Sequence, residues 1–273
     1  MIKDITLGQY YPADSVLHKL DPRVKLMATL VFIVSLFLVK SWVGYGVATL
    51  FLFSVIRLSR VPFSFMVRGL KAIIMLLMIT VVFNLFLTPG DRVLIRVWKL
   101  TITDEGLRTA MFMAVRLIYL IIGSSVMTLT TTPNDLTDGM EKSLGFLKRL
   151  RVPVHEVAMM MSIALRFIPI LMEETDKIMK AQIARGADFE SGNLIQKAKS
   201  LVPLLVPLFI SAFRRANDLA MAMEARCYHG GEGRTKMKPL CYERRDYGAY
   251  GVLAVYLAAI IGIRILGTYV RLI

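Results

Sequence analysis

Two arginines in this sequence occur in nearly the same short context, and their side chains are suited to bind carboxylates. The two tripeptides are Ala184-Arg185-Gly186 and Ala225-Arg226-Cys227. Aligning one arginine on the other also aligns Ala181 with Ala222, one turn upstream. A guanidinium group holds a carboxylate through two parallel hydrogen bonds, and small neighbours let another surface approach it closely. The repeated ending therefore predicts two docking points for acidic groups on a two-fold or pseudo-two-fold partner.

Each tripeptide taken alone has a simpler explanation, which is that it ends a helix. An arginine at a helix C-terminus interacts favourably with the helix dipole and can hydrogen-bond the last carbonyl groups. Gly186 likewise suits the position after a helix, where φ is often positive. We favour docking because the same Ala-x-x-Ala-Arg ending occurs twice.

The other reactive side chains do not form a catalytic or metal-binding pattern. The three histidines and two cysteines lack the spacing of metal ligands, and no nucleophile elbow or zinc-protease motif occurs. Residues 230–236 are glycine-rich but do not have the residue order of a nucleotide-binding phosphate loop. The sequence therefore predicts no catalytic residue, no metal site and no cofactor, and no ATP hydrolysis by this chain alone.

The elements that carry the two arginines belong to a membrane protein. Hydrophobic residues make up 56% of the chain and occur in long runs, which soluble domains avoid. The net charge of +14 comes from lysines and arginines between these runs rather than from one basic stripe. Such charges usually set the orientation of a membrane protein, so we expect the lipid bilayer as a partner and no nucleic acid.

Five apolar segments predict an all-α, polytopic membrane protein with about five transmembrane helices. The predicted spans are residues 22–39, 43–56, 72–87, 107–129 and 247–266. They contain no Asp or Glu, which argues against an ion-coupled pump. Residues 93–102 fit either a short hairpin or an interfacial segment. The predicted regions are residues 1–130 with four spans, a cytosolic helical region at 131–246, and a last span within 247–273.

The orientation follows from the loop between the second and third predicted spans. This loop contains four basic residues and no carboxylate: Arg57, Arg60, Arg68 and Lys71. Short loops rich in Lys and Arg face the cytoplasm. We therefore expect the N-terminus and residues 131–246 in the cytoplasm, and the C-terminus outside.

Residues 154–228 contain two long helices that change from apolar to polar along their length and end at the two arginines. A helix that is apolar all round lies in lipid or in a core, whereas a charged one lies in water. Glu173-Glu174 in the first helix aligns with Arg214-Arg215 in the second. We predict that these charges pair where the helices cross. A short amphipathic helix at residues 134–147 precedes the two.

Two further arginines lie among apolar residues, Arg116 in the fourth predicted span and Arg166 near the start of the first long helix. A charge at such a depth normally faces protein or water. A structural role, with the guanidinium bonded to backbone carbonyls or a lipid phosphate, is favoured for both over contact with a substrate.

The paired tripeptides resemble the two X-Arg-Gly motifs of the transmembrane T components of energy-coupling factor (ECF) transporters. The segments 8–12 (Gly-Gln-Tyr-Tyr-Pro) and 20–26 (Leu-Asp-Pro-Arg-Val-Lys-Leu) resemble the N-terminus of that family, and the layout covers the whole chain. The resemblance implies that the tripeptides end coupling helices that dock into two ABC-type ATPase subunits. It also implies that the upstream parts of these helices and residues 134–147 bind a substrate-capturing S component.

By this resemblance the chain is the energy-coupling subunit of an importer for a vitamin or metal ion in the bacterial plasma membrane. It departs from the family pattern at Cys227, where the motif has glycine. Because cysteine lacks the freedom of glycine at positive φ, we expect the second helix to end differently from the first. Two rival classes remain: a stand-alone carrier, which would move substrate without ATPases, and a polytopic membrane enzyme, which would need clustered acids or histidines.

Overall fold

The computed structural model describes residues 10–89, 93–97, 100–189, 193–231, 237 and 239–272. In these residues the helices are α1 (Pro22–Leu38), α2 (Trp42–Ser59), α3 (Phe63–Leu87), α4 (Asp104–Thr130), α5 (Pro133–Ser143), α6 (Val154–Ala184), α7 (Leu194–Ser200), α8 (Val202–Glu224) and α9 (Arg244–Leu272). The predicted all-α polytopic class is confirmed.

A short antiparallel hairpin follows α3 and is the exception to the helical fold. Strand β1 (Val93–Val97) pairs with β2 (Leu100–Thr103), with an irregular register between Val93 and Ile95. Thr103 then caps α4, since its side chain accepts a hydrogen bond from the N–H of Gly106 at 3.0 Å. Of the two alternatives left open for residues 93–102, the hairpin is the one observed.

Four helices of the described chain are long and apolar enough to cross a membrane: α2, α4, α6 and α9. A fifth is α3, if its halves Phe63–Lys71 and Ile73–Phe86, which meet at 62°, count as one span. The predicted number of about five spans is therefore confirmed, but the helices that meet the length and apolarity criteria are not all the predicted ones. Helix α1 has 17 residues and is not among them, whereas α6 qualifies because its first half is mostly apolar, although it contains Arg166.

The chain divides into two compact units. The first, here called the bundle unit, comprises Gly8–Gly139 and Leu240–Ile273; the second, here called the paired-helix unit, lies within Met140–Pro239. In the bundle unit α4 packs on α1, α2 and α3, and α9 packs on α1 and α2. The core contains stacked rings of Phe51 and Tyr256, whose centroids are 4.2 Å apart. The last helix thus completes the bundle that the first four helices begin.

Helix α1 runs along the second half of α4. The Lys25 Nζ donates to the carbonyl of Thr130 (2.8 Å) at the end of α4. At the middle of α4, Arg116 donates to the carbonyl of Val39 (3.4 Å), just after α1. At about 1.5 Å per residue α1 is roughly 25 Å long, at the lower limit for a span. The Arg116 geometry matches the structural role that was favoured, because the guanidinium binds a backbone carbonyl.

A buried carboxylate joins the starts of α1 and α9. Asp246, 1% exposed, accepts hydrogen bonds from the N–H groups of Asp21 (2.9 Å) and Glu243 (2.8 Å). Asp21 in turn caps α1 and pairs with Arg23 (2.7 Å). Burial alone raises the pKa of Asp21, but the hydrogen bonds and charge of Arg23 outweigh it and hold this pKa below its usual value. The ion pair is therefore expected to stabilise the fold at neutral pH and to be lost as the pH falls through that lowered pKa.

Replacing Asp246 by alanine is expected to lower the free energy of unfolding by about 3 kcal/mol, because two buried N–H groups lose their acceptor. Denaturant or thermal unfolding of the purified chain in detergent measures this change. Glu243→Ala is the matched control. Its carboxylate is 61% exposed and pairs with Arg245, so its removal should change stability by about 1 kcal/mol or less. Equal losses in the two variants would contradict the role given to Asp246.

The predicted amphipathic helix at residues 134–147 is shorter than expected. Helix α5 covers Pro133–Ser143, and a 3₁₀ segment, Leu144–Leu150, follows it. A Cβ on Gly139 would lie 2.9 Å from the Cβ of Pro22, so α5 contacts the start of α1 closely. Close packing at this point requires glycine.

Candidate docking site on two paired helices

Helices α6 and α8 of the paired-helix unit pack antiparallel. The Gln182 Nε2, near the end of α6, donates to the carbonyl of Pro203 at the start of α8 (3.4 Å). Ile163, near the start of α6, lines the same cavity of about 260 Å³ as Met223, near the end of α8. The start of each helix therefore faces the end of the other.

An ion pair fixes the two helices at the middle of their contact. The Glu174 Oε2 accepts from Arg215 Nη2, and Glu174 Oε1 accepts from Ser211 Oγ at 2.8 Å. The pairing predicted between the two charged segments is confirmed for Glu174 with Arg215. Their neighbours Glu173 and Arg214 are exposed. Only one charge of each predicted pair therefore lies at the crossing.

Because the helices are antiparallel, the two arginines at their ends point in opposite directions along the pair. Arg185 lies about 16 Å beyond Glu174, and Arg226 about 16 Å beyond Arg215, at about 1.5 Å per residue. The two guanidinium groups are thus carried at opposite ends of one element, roughly 30 Å apart. The sequence gives no sign of this direction, since pairing of aligned charges is equally compatible with parallel helices.

The two helices end in the same hydrogen-bonded motif. After α6, Gly186 N–H donates to the carbonyl of Ile183 (2.9 Å), and Ala187 N–H donates to that of Gln182 (3.0 Å). After α8, the matching bonds run from Cys227 to Glu224 (2.8 Å) and from Tyr228 to Met223 (3.0 Å). This is the Schellman pattern, and its left-handed residue is Gly186 (φ 89°) in one helix and Cys227 (φ 55°) in the other. The expectation that Cys227 changes the helix end is wrong, because cysteine adopts the left-handed conformation here.

Left-handed backbone at a residue with a Cβ costs about 1 kcal/mol, so the two endings should respond oppositely to substitution. Cys227→Gly is expected to raise the stability of the paired-helix unit by up to about 1 kcal/mol, and Gly186→Ala to lower it by about the same. Thermal unfolding of the purified chain measures both. Cys227→Ala keeps the Cβ and is the control, expected to leave stability unchanged. If Cys227→Ala raised the stability, the destabilisation would come from the thiol group and not from the left-handed backbone.

All six residues of the two tripeptides are exposed: Ala184, Arg185, Gly186, Ala225, Arg226 and Cys227. Within the part of the chain that the structure describes, the side chains of Arg185 and Arg226 make no hydrogen bond or ion pair. Neither guanidinium group caps the carbonyls of its own helix there. The tripeptides therefore end their helices, as the simpler explanation states, and leave both guanidinium groups available to an external carboxylate.

The apolar first half of α8 has an uncovered face within the paired-helix unit. Its side chains recur every three to four residues and are between 44% and 67% exposed: Leu205, Val206, Phe209, Ile210 and Phe213. On α6, Met160 and Met161 are also exposed, at 57% and 44%. Arg166 is exposed beside them. Exposed apolar side chains at helical spacing are typical of a surface that meets lipid or a partner helix.

His155 holds the segment after α8 in place, a role that no sequence motif indicates. Its Nδ1 lies 2.8 Å from the Glu141 Oε1, and both side chains are mostly buried. Gly231 lies directly on its ring, where a Cβ would come within 2.2 Å of Cδ2. This contact ties the chain just beyond Arg226 to the start of α6. Only glycine leaves room for the imidazole, and a lone Gly-Gly in a linker does not reveal that.

The fold and the site together define a polytopic, all-α membrane protein with two exposed arginines at the ends of paired helices. Within the described residues no cluster of His, Cys, Asp or Glu that could hold a metal is present. The sequence profile of the CbiQ family, described as a cobalt transport protein, matches residues 13–237. Proteins named energy-coupling factor transporter transmembrane protein EcfT are similar over nearly their full length.

Three of these relatives show the extent of the similarity. The Clostridium kluyveri protein is 61% identical over 248 residues, covering 90% of this chain and 92% of its own. The Thermosediminibacter oceani protein is 55% identical over 257 residues, covering 93% and 97%. The Bacillus subtilis protein is 47% identical over 264 residues, covering 97% and 100%. The chain therefore belongs to the family of transmembrane components of ECF transporters, as the paired tripeptides indicated.

Proposed function

We propose that this chain transmits the movement of two partner ABC-type ATPases to a substrate-binding S component, and so drives import of a micronutrient such as a vitamin or metal ion. The observation that carries the proposal is the pair of exposed guanidinium groups, Arg185 and Arg226, without partners in the described chain and carried at opposite ends of one antiparallel helix pair. Each binds a carboxylate in a groove of one ATPase subunit.

The mechanism is mechanical. When the ATPases open and close on ATP, the two docking grooves move relative to each other and carry the two helix ends with them. The Glu174–Arg215 pair links α6 and α8 at their crossing, so that the two helices move together and not independently. The exposed apolar face of α8, with the exposed methionines of α6 and residues 134–147, contacts the S component and tilts it. Methionine suits such a surface because it repacks easily.

Contacts within the bundle unit support the proposed orientation. Arg60, after α2, donates to the carbonyl of Asp14 (3.2 Å). The end of α4 bonds to Lys25, and the start of α9 bonds to Asp21 through Asp246. The N-terminal segment, the α2–α3 loop, the end of α4 and the start of α9 therefore share one end of the bundle. We infer from the basic α2–α3 loop that this end faces the cytoplasm of the bacterial cell, with the C-terminus outside.

We infer that α6 lies at the membrane surface, although its first half is apolar enough to cross a membrane. The exposed Arg166 lies among these apolar residues. A lipid-facing arginine at the centre of a bilayer costs at least about 2.5–3.5 kcal/mol. At the surface the guanidinium reaches water or a lipid phosphate without that cost.

Co-purification from native membranes tests the proposal. The tagged wild type is expected to bring down two ATPase subunits and an S component, and the Arg185→Glu, Arg226→Glu variant to lose the ATPases. Arg149→Glu, Arg214→Glu is the matched control, because it makes the same charge change at exposed positions away from the two tripeptides. Co-purification of the ATPases with the Arg185→Glu, Arg226→Glu variant would reject the docking role of the two arginines. Substrate flux by the purified chain alone would instead support a carrier.

A further inference from the structure

The bundle unit contains a cavity of about 410 Å³ that the coupling mechanism does not use. It lies between α1, α2, α4 and α9, and apolar side chains form almost all of its wall. The ionisable residues that line it are Lys25 and Arg245, both cationic, and no lining residue is a carboxylate. An apolar cavity with cationic groups alone fits an amphiphile with an anionic head.

Lys25 is buried, with 8% of its surface exposed, and its ammonium group is not fully used by the described residues. The Nζ donates to the carbonyls of His18 (3.1 Å) and Thr130 (2.8 Å). An ammonium group has three N–H donors, so one remains for a further acceptor. Asp21, Asp135 and Asp246 attract Lys25 electrostatically from outside the cavity. A buried donor without an acceptor is unfavourable, which favours an oxygen ligand at this point.

The cavity is polar and open at one end and apolar at the other. Its exposed lining residues are Val16, Leu58 and Val252, at 56%, 51% and 61%, together with Arg245 and Gly248. All of these except Val252 lie with Lys25 at the end of the bundle where α1 and α9 begin. Deeper in the cavity the wall is formed by Phe32, which is 3% exposed, and by Phe51, which stacks on Tyr256. The gradient matches a lipid whose head lies at the membrane surface and whose chain points to the bilayer centre.

We propose that this cavity binds one acyl chain of an anionic phospholipid, with Lys25 and Arg245 holding its phosphate. Three of the four wall helices, α2, α4 and α9, are long and apolar enough to cross a membrane, so the medium at the opening is lipid and not water. Arg245 pairs with Glu243 at 2.9 Å, and that carboxylate is 61% exposed and free to release it. One chain of the lipid fills the cavity while the other stays in the bilayer.

Photolabelling of the whole chain in vesicles tests the assignment. The probes are phosphatidylglycerol and phosphatidylcholine that carry a diazirine at the end of one acyl chain, each in vesicles of equal parts of the two unlabelled lipids. The wild type is expected to be labelled on the peptides that contain Phe32, Phe51 and Leu253, about tenfold more by phosphatidylglycerol than by phosphatidylcholine. Both lipids carry a phosphate, but the choline cation repels Lys25 and Arg245 and competes with them for it. Equal labelling by both probes would reject the anionic head, and labelling spread over all lipid-facing helices would reject the site.

Two glycines of α9 provide a matched pair of variants. A Cβ added at Gly248 or at Gly251 would meet no atom within 4 Å, so both positions have room for the first atom of a side chain, but only Gly248 lines the cavity. Gly248→Leu is expected to remove most labelling of the three peptides, while Gly251→Leu keeps it. Arg245→Gln should reduce labelling by phosphatidylglycerol to the level of phosphatidylcholine. Full labelling of a folded Gly248→Leu protein would overturn the proposal.

Discussion

Exchanging the charges of Glu174 and Arg215 is expected to restore the substrate uptake that either reversal alone removes. In Glu174→Arg or Arg215→Glu, two like charges face each other at hydrogen-bond distance where α6 and α8 cross. The pair is partly exposed, at 26% and 38%, so water screens the charges and the loss of stability should be small. The loss of uptake should be about tenfold or more, because the repulsion separates α6 and α8 at the crossing through which they transmit movement.

Uptake into cells that express the complete transporter measures this effect, with ATP hydrolysis followed in parallel. The single variants are expected to hydrolyse ATP without importing substrate, and the Glu174→Arg, Arg215→Glu double variant to import it again. Glu173→Arg, Arg214→Glu is the matched control, because these neighbours carry the same charges but are exposed beside the crossing. A double variant as inactive as the singles would mean that the crossing needs these residues in their native positions for another reason.

The class of fold could be read from the sequence because it depends on composition alone. Runs of apolar residues predict membrane helices without knowledge of their neighbours. The charge pair at the crossing was also predictable, since Glu174 and Arg215 occupy equivalent positions before the two tripeptides. What allowed these predictions is that each rests on residues close together in the sequence or on an internal repeat.

The parts that the sequence did not predict depend on packing between distant segments. The antiparallel direction of α6 and α8 is set by contacts such as Gln182 with Pro203, which no local pattern encodes. The end of α8 was mispredicted because a left-handed cysteine is rare, and the Schellman bonds of Tyr228 and Cys227 outweigh its strain. The length of α1 was overestimated by one residue at its end, which matters only because 17 residues is near the minimum for a span.

Reversing the charge of either Arg185 or Arg226 is expected to weaken ATPase binding far less than reversing both. Arg185 and Arg226 lie roughly 30 Å apart along the pair, so each contacts a separate groove. While one arginine stays bound, the second groove is held at a high effective concentration, and this avidity is worth about 10²–10⁴ in affinity. Each charge reversal removes hydrogen bonds worth about 1.5–3 kcal/mol and adds repulsion. The single variants should therefore retain a weakened complex, and the double variant none.

Binding of the purified ATPase subunits to the chain in lipid nanodiscs measures the three affinities, with Arg214→Glu as a control that alters the same helix away from its tip. Both single variants should also lose uptake, because movement of one helix end alone cannot change the angle of the pair. If one single variant binds as weakly as the double, the two arginines do not contribute independently, and the docking would rest on one tip. Cys227→Gly tests whether backbone strain at the end of α8 affects ATPase binding. This variant leaves Arg226 in place and is expected to bind the ATPases as the wild type does.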